Sequence, residues 1–212
     1  IPFLCPECGT RAIREEGEVA YKCLNISCPA RIKRSLIHFA SKGAMDIANL
    51  GISIVGRLYD NNLIHSVDDI YRLKKEDLLS LEGFKEKSSQ NLINAIEDSK
   101  NRELYRLIFG LGIDFIGEKA AKVLEKNFNS LDEIIGASHA ELIQLPDFGH
   151  RMAESLVDFF ANEENLAMIE NLKNLGVNTL SKDTSEGSLF KGMRFVLTGT
   201  LPSLKRTEAK AM

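Results

Sequence analysis

Ser66-Val67-Asp68-Asp69-Ile70 and Ser130-Leu131-Asp132-Glu133-Ile134 stand 64 residues apart and read alike position by position. The same shift carries Asp77-Leu78-Leu79 onto Glu141-Leu142-Ile143, Leu81 onto Leu145, Phe84 onto Phe148, Lys87 onto Arg151 and Leu92 onto Leu156. Self-similarity at a fixed period marks a duplicated structural unit. Serine followed three residues later by an acid has capping-box form, which makes Ser130 the N-cap of a helix. Leu92, Ile93, Ala95 and Ile96 share one helical face, as do Ala153, Leu156, Val157 and Phe160. From Arg31 to about Leu180 the sequence therefore reads as short amphipathic helices, with Pro146 in a turn.

Each half of the duplication contains two smaller units, pairs of helices joined by tight loops. The loops read Asn49-Leu50-Gly51, Gly83-Phe84-Lys85, Phe115-Ile116-Gly117 and Asp147-Phe148-Gly149, and their third residues lie 34, 32 and 32 positions apart. Each has a central apolar residue between small or turn-compatible positions. The pattern resembles the helix-hairpin-helix motif, whose loop is ideally Gly-apolar-Gly. In that motif the apolar residue plugs the helix pair, while glycines and the next helix N-terminus admit a phosphate. Asn49, Lys85, Phe115 and Asp147 each replace one ideal glycine. The first unit has two possible registers, because Leu50-Gly51-Ile52 through Gly56 also aligns with Leu111-Gly112-Ile113 through Gly117.

All four cysteines lie in the first 28 residues, as Cys5-x2-Cys8 and Cys23-x4-Cys28. Two pairs on tight turns supply the four thiolates of a tetrahedral structural zinc site. Pro6 and Gly9 suit the first turn, and Glu18 to Lys22 alternate like a strand returning the chain to Cys23. The competing assignment, two disulfides, needs an oxidising compartment, and nothing else here looks secreted. His38, His65, His139 and His150 lie outside the cluster and read as ordinary surface or core residues.

The net charge of −3 does not suggest a nucleic-acid binder, but it is unevenly spread. Residues 1–34 balance to +2, residues 35–181 to −8 and residues 182–212 to +3. A broad basic face is therefore excluded from the middle. Binding of a phosphate backbone there must rest on local N–H groups and helix dipoles, helped by Lys85, Lys87, Lys119 and Arg151 in or just after three of the hairpins. No apolar run approaches the ~20 residues of a membrane span. The chain begins at Ile1 and stops within a pattern at Met212, as an excised fragment would.

Residues 182–188 read as a polar linker. Met193 to Leu197 read as a strand closed by Thr198-Gly199, in a piece too short to bury its own core. Taken in order, these parts resemble the C-terminal half of bacterial NAD-dependent DNA ligases. The likeness is carried by Cys5-Pro6-Glu7-Cys8-Gly9 and Cys28-Pro29-Ala30, by Leu81-Glu82-Gly83-Phe84 and Lys87-Ser88, by Leu111-Gly112-Ile113 with Ile116-Gly117-Glu118, and by Phe195-Val196-Leu197-Thr198-Gly199-Thr200-Leu201.

The resemblance implies a mainly α fold: a four-cysteine zinc finger at 1–34, a four-motif helix-hairpin-helix domain at 35–181 in halves of about 35–99 and 100–181, the linker at 182–188, and the truncated α/β start of a BRCT domain at 189–212. It implies one structural zinc held by Cys5, Cys8, Cys23 and Cys28. The hairpins would contact DNA through Leu50, Gly51, Gly83, Lys85, Lys87, Ile116, Gly117, Lys119, Phe148, Gly149 and Arg151. Thr198 and Gly199 would be able to hold a phosphate in the BRCT piece. The parent enzyme would seal single-strand nicks with NAD and Mg, neither bound here, and this piece alone would be inactive because the adenylation chemistry lies elsewhere. No catalytic residue is identified. The expected partners are nicked duplex DNA, met at the minor groove, and the adenylation and OB-fold domains of the same polypeptide. A monomer in the bacterial cytoplasm, at the nucleoid, with no membrane contact is expected. Two alternatives remain at this stage: another type of helix-hairpin-helix DNA-repair protein, and a protein-interaction scaffold using the acidic middle.

Overall fold

Pro29 opens the first helix directly after the last cysteine. Proline is preorganised for a first helical turn, where its missing N–H costs nothing, so α1 spans Pro29–Ala40 with Cys28 as its N-cap. The structure, a computed structural model, describes residues 3–14, 21–25 and 27–181. Before α1 a two-stranded antiparallel ribbon, β1 (Ala12–Ile13) and β2 (Lys22–Cys23), pairs Ala12 with Cys23. The expected strand from Glu18 is described only from Tyr21 onward, and the regular pairing begins at Lys22. The expected boundary between residues 34 and 35 falls inside α1. Helix-compatible residues run on from Pro29, so the finger passes into the helical region along one continuous helix.

The duplication is visible in the element order. In the first half α1, α2 (Ile52–Asp60), α3 (Val67–Ile70), α4 (Lys75–Leu79) and α5 (Glu86–Ser99) follow one another. In the second half α6 (Leu104–Gly110), α7 (Glu118–Asn127), α8 (Leu131–Gly136), α9 (His139–Leu142) and α10 (His150–Ala161) repeat the plan. Within each half the first two helices form one hairpin and the last two another, as α1 with α2, α4 with α5, α6 with α7 and α9 with α10. No helix among the described residues is long and apolar enough to cross a membrane.

Local chemistry sets the short helices. Ser130 Oγ accepts the Glu133 N–H, and the Glu133 carboxylate accepts the Asn129 N–H. Asp69 does the same for the Ser66 N–H at the start of α3, and Glu141 for the Ser138 N–H at the start of α9. Such reciprocal caps satisfy donors that a helix shorter than two turns would otherwise leave open. One continuous apolar core joins both halves, with Phe39, Leu58, Ile70, Leu92 and Ile96 of the first and Leu107, Leu124, Ile134 and Leu156 of the second all nearly inaccessible. Where α1 meets α6, His38 Nε2 lies 2.7 Å from the Phe109 carbonyl oxygen, and the two rings meet edge to face at 4.7 Å.

A further helix, α11 (Glu163–Asn174), has no counterpart in the duplication and locks the halves together. Its Asn171 donates to Asp68 of α3 at 3.0 Å, and its Lys173 pairs with Asp132 of α8. The chain after α11 stays between the halves: Asn178 N–H donates to the Lys100 carbonyl and Ser181 N–H to that of Asn129. The expected linker at 182–188 and the strand from Met193 with Thr198 and Gly199 lie outside the described residues.

Candidate nucleic-acid interface and metal site

The four hairpin loops share one backbone. Their first residues, Asn49, Gly83, Phe115 and Asp147, take φ of 68°, 83°, 63° and 59°, the left-handed region. Their third residues, Gly51, Lys85, Gly117 and Gly149, are extended N-caps of α2, α5, α7 and α10. This settles the register of the first hairpin. Gly51 corresponds to Gly117 as helix N-cap, whereas Gly56 lies inside α2 and Gly112, at φ 68°, follows the end of α6.

The central residues Leu50, Ile116 and Phe148 are buried, and Phe84 half-buried. The side chains of Leu50, Ile116 and Phe148 plug the hairpins, and their N–H groups are taken by the carbonyls of Ile47, Ile113 and Leu145, so these residues position the loops and leave outward contact to their neighbours. The exposed groups are the loop glycines and charged residues of both signs, the cations Lys85, Lys87, Lys119 and Arg151 with the acids Glu82, Glu86, Asp114, Glu118 and Asp147. None of these four cations makes an ion pair among the described residues. Several other cations of the helical region are neutralised internally, as in Arg102 with Asp46, Arg72 with Asp68 and Lys122 with Glu118.

The N-cap glycines are informative because the fold does not need them. Gly51, Gly117 and Gly149 have φ of −87°, −82° and −86°, which any residue adopts. Nothing lies within 4 Å of where their Cβ atoms would stand. Lys85 occupies the equivalent place in the second hairpin with an extended backbone. By contrast Gly83, at φ 83°, serves its own turn. The empty space beside the three N-cap glycines faces outward, next to helix N-termini whose first N–H groups have no intrahelical acceptor.

Sequence reasoning missed Arg57. It projects from α2 toward the second hairpin, with its guanidinium 5.6 Å over the Phe84 ring and Nη1 3.5 Å from where a Gly83 Cβ would be. Nothing in the spacing of the hairpins points to it, since the contact joins residues of two different helix pairs. His139 and His150, read as unremarkable, stack at 5.4 Å across the fourth hairpin.

At the other end, the four cysteine sulfurs lie within 4.8 Å of one another. Cys5 and Cys28 sulfurs are 3.8 Å apart and those of Cys8 and Cys23 3.5 Å. A tetrahedron of sulfurs ~2.3 Å from a central zinc has edges of about 3.8 Å, while a disulfide needs about 2.05 Å. None of the four is in a disulfide. Hydrogen bonds from the Thr10 side chain and backbone hold the Cys8 thiol down at about 6. The Asn25 N–H pulls Cys23 the same way, but burial and the neighbouring thiols of Cys8, Cys5 and Cys28 outweigh it and push Cys23 up to about 11. Like charges this close cannot all form on their own, and a divalent cation is what allows four thiolates together. The cluster fits one structural zinc, with four protein ligands and no position left for water.

Comparison with known proteins bears on both sites. The NAD-dependent DNA ligase C4 zinc finger domain matches residues 5–30, the SAM-like helix-hairpin-helix tandem residues 43–98, and the helix-hairpin-helix motif residues 106–169. A DNA ligase of Clostridioides difficile (strain 630) is 52% identical over 215 residues, and one of Bacillus subtilis (strain 168) 46% over 217. Along its whole length the chain is similar to part of these DNA ligases, and its zinc-finger segment matches the NAD-dependent kind. All of it is covered in both alignments, but it spans only 32% of each relative's length. It corresponds to the zinc-finger and helix-hairpin-helix region of those ligases, and the adenylation domain of the family lies outside it.

Proposed function

We propose that this chain is the part of an NAD-dependent DNA ligase that holds the duplex while another part of the enzyme seals the nick. The observation that carries the proposal is the set of N-cap glycines Gly51, Gly117 and Gly149, which the fold could replace but which leave room for a close external approach. A phosphate reaching those helix N-termini meets free N–H groups and the positive ends of helix dipoles. Lys85, Lys87, Lys119 and Arg151 add unpaired charge beside the loops. Four such contacts on one rigid body act together, which is how an acidic domain grips a polyanion. The contacts fall on phosphates and the minor groove and carry no base readout.

Zinc, held by Cys5, Cys8, Cys23 and Cys28, cross-links the finger and fixes the start of α1 through its ligand Cys28. The finger thereby orients the helical domain against the OB-fold and adenylation domains of the same enzyme. NAD and Mg serve the adenylation step, in which no residue described above takes part. The enzyme works as a monomer in the bacterial cytoplasm, on nicked chromosomal DNA.

The test is an amide spectrum of the isotope-labelled, zinc-loaded chain titrated with nicked duplex. Saturable shifts are expected at residues 51–53, 85–87, 117–119 and 149–151, with residues 67–70 and 131–134 unmoved. Shifts confined to the acidic helices, or none at low salt, would overturn the proposal.

A further inference from the structure

Five residues other than glycine have left-handed backbones among the described residues: Asp46, Asn49, Asn62, Phe115 and Asp147. Four are Asp or Asn, whose short polar side chains tolerate that conformation, and Phe115 has no such excuse. At φ 63° it carries backbone strain that a burial reward would normally offset. There is no such reward, because Phe115 is 61% exposed. The equivalent positions of the other hairpins hold Asn49, Gly83 and Asp147, so the loop itself does not ask for an aromatic ring. The fold is thus made less stable in two ways to keep an exposed phenyl ring two residues before Gly117, at the mouth of the third hairpin.

We infer that Phe115 is an apolar minor-groove contact, a ring inserted against the base edges where the third hairpin meets the duplex. This rests on the proposed DNA-holding role and adds to it a contact of different chemistry. The first hairpin offers its helix N-terminus with an exposed aliphatic Ile52, the second and fourth offer N–H groups and cations, and the third adds an aromatic wedge of the kind that partly unstacks a base step. A nick already lacks one backbone link, which lowers the cost of such unstacking.

The variant Phe115→Asn separates this role from a structural one, because it installs the residue found at the same place in the first hairpin. Relieving the strain should leave the melting temperature of the zinc-loaded chain unchanged or raised. Affinity for nicked duplex should fall at least fivefold (about 1 kcal/mol), equally at every salt concentration, since an apolar contact releases no counterions. Phe115→Tyr should retain the affinity, and 2-aminopurine in the contacted step should brighten with the wild-type chain but not with Phe115→Asn. Unchanged affinity of Phe115→Asn for DNA that the wild-type chain binds with a normal salt dependence would refute the inference while leaving the DNA-holding role standing; that result would assign the ring to another domain of the enzyme. Absence of wild-type binding would refute both.

Discussion

Replacing Gly117 by Ser tests whether the hairpin glycines serve the fold or its ligand. Gly117 caps α7 with φ −82° and has open space beside it. Serine is at least as good an N-cap, by a few tenths of a kcal/mol, so the variant should melt within about 1 °C of the wild type or slightly above it. Its Cβ and Oγ would stand where a phosphate oxygen has to come within hydrogen-bonding distance of the backbone. Losing one charge-assisted hydrogen bond costs about 1.5–3 kcal/mol, tenfold or more in affinity, with the other three hairpins still engaged. The assay is fluorescence anisotropy of a labelled nicked duplex, paired with thermal unfolding followed by circular dichroism. Gly136→Ser is the control: that glycine also has open space around it but ends α8, away from any hairpin. Gly117→Ser that stays folded and binds DNA as tightly as the wild type would refute the reasoning. A fall of several degrees in its melting temperature would show that the glycine serves the fold.

Asp68 and Asp132 occupy the same place in the two halves, but Asp68 is 5% exposed and accepts bonds from Ser66, Arg72 and Asn171. Asp68→Ala should cost about 1.5–3 kcal/mol and lower the melting temperature by roughly 5 °C, whereas Asp132→Ala should cost under ~1 kcal/mol; equal losses in thermal melts would contradict the assigned packing. A strong chelator should remove one zinc per chain, measured by atomic emission, and disorder the finger while leaving the cooperative helical melt in place; two zincs, or none, would contradict the site. Glu133 is held below its ordinary value of 4.5 by the Asn129 N–H and side chain, and Glu141 by the Ser138 side chain and N–H. A depressed carboxylate stabilises the fold above its unfolded value and loses that contribution as pH falls through its folded value, so Glu133→Gln with Glu141→Gln should flatten the decline of melting temperature below about pH 4.5; an unaltered acid limb would argue against these caps.

The duplication was legible because its signals are local. Capping pairs at Ser66 and Ser130, plugs at Phe84 and Phe148, and regular loop spacing all survive in one dimension. The four-cysteine pattern was legible for the same reason, since four close thiols within 28 residues leave few geometries. What escaped depends on contacts between distant segments. Asp68 and Asp132 sit in matching strings of letters, yet only Asp68 is buried, because α11 meets one half through Asn171 and the other through Lys173. Arg57 reaches the second hairpin across a helix pair boundary. The first hairpin's register was ambiguous in sequence because two glycine spacings fit, and only the backbone angles at Asn49 and Gly51 separate them. The hairpin glycines were legible as a pattern, but the left-handed demand falls on the first loop position and the outward space on the third.

The salt dependence of duplex binding tests the central claim most directly. The zinc-loaded chain should bind nicked duplex with a log-log slope near −3.6, roughly −0.9 for each phosphate met by Lys85, Lys87, Lys119 and Arg151, and Lys87→Ala with Arg151→Ala should reduce it to about −1.8. A slope near zero, or one that these substitutions leave unchanged, would contradict a grip built on the hairpins.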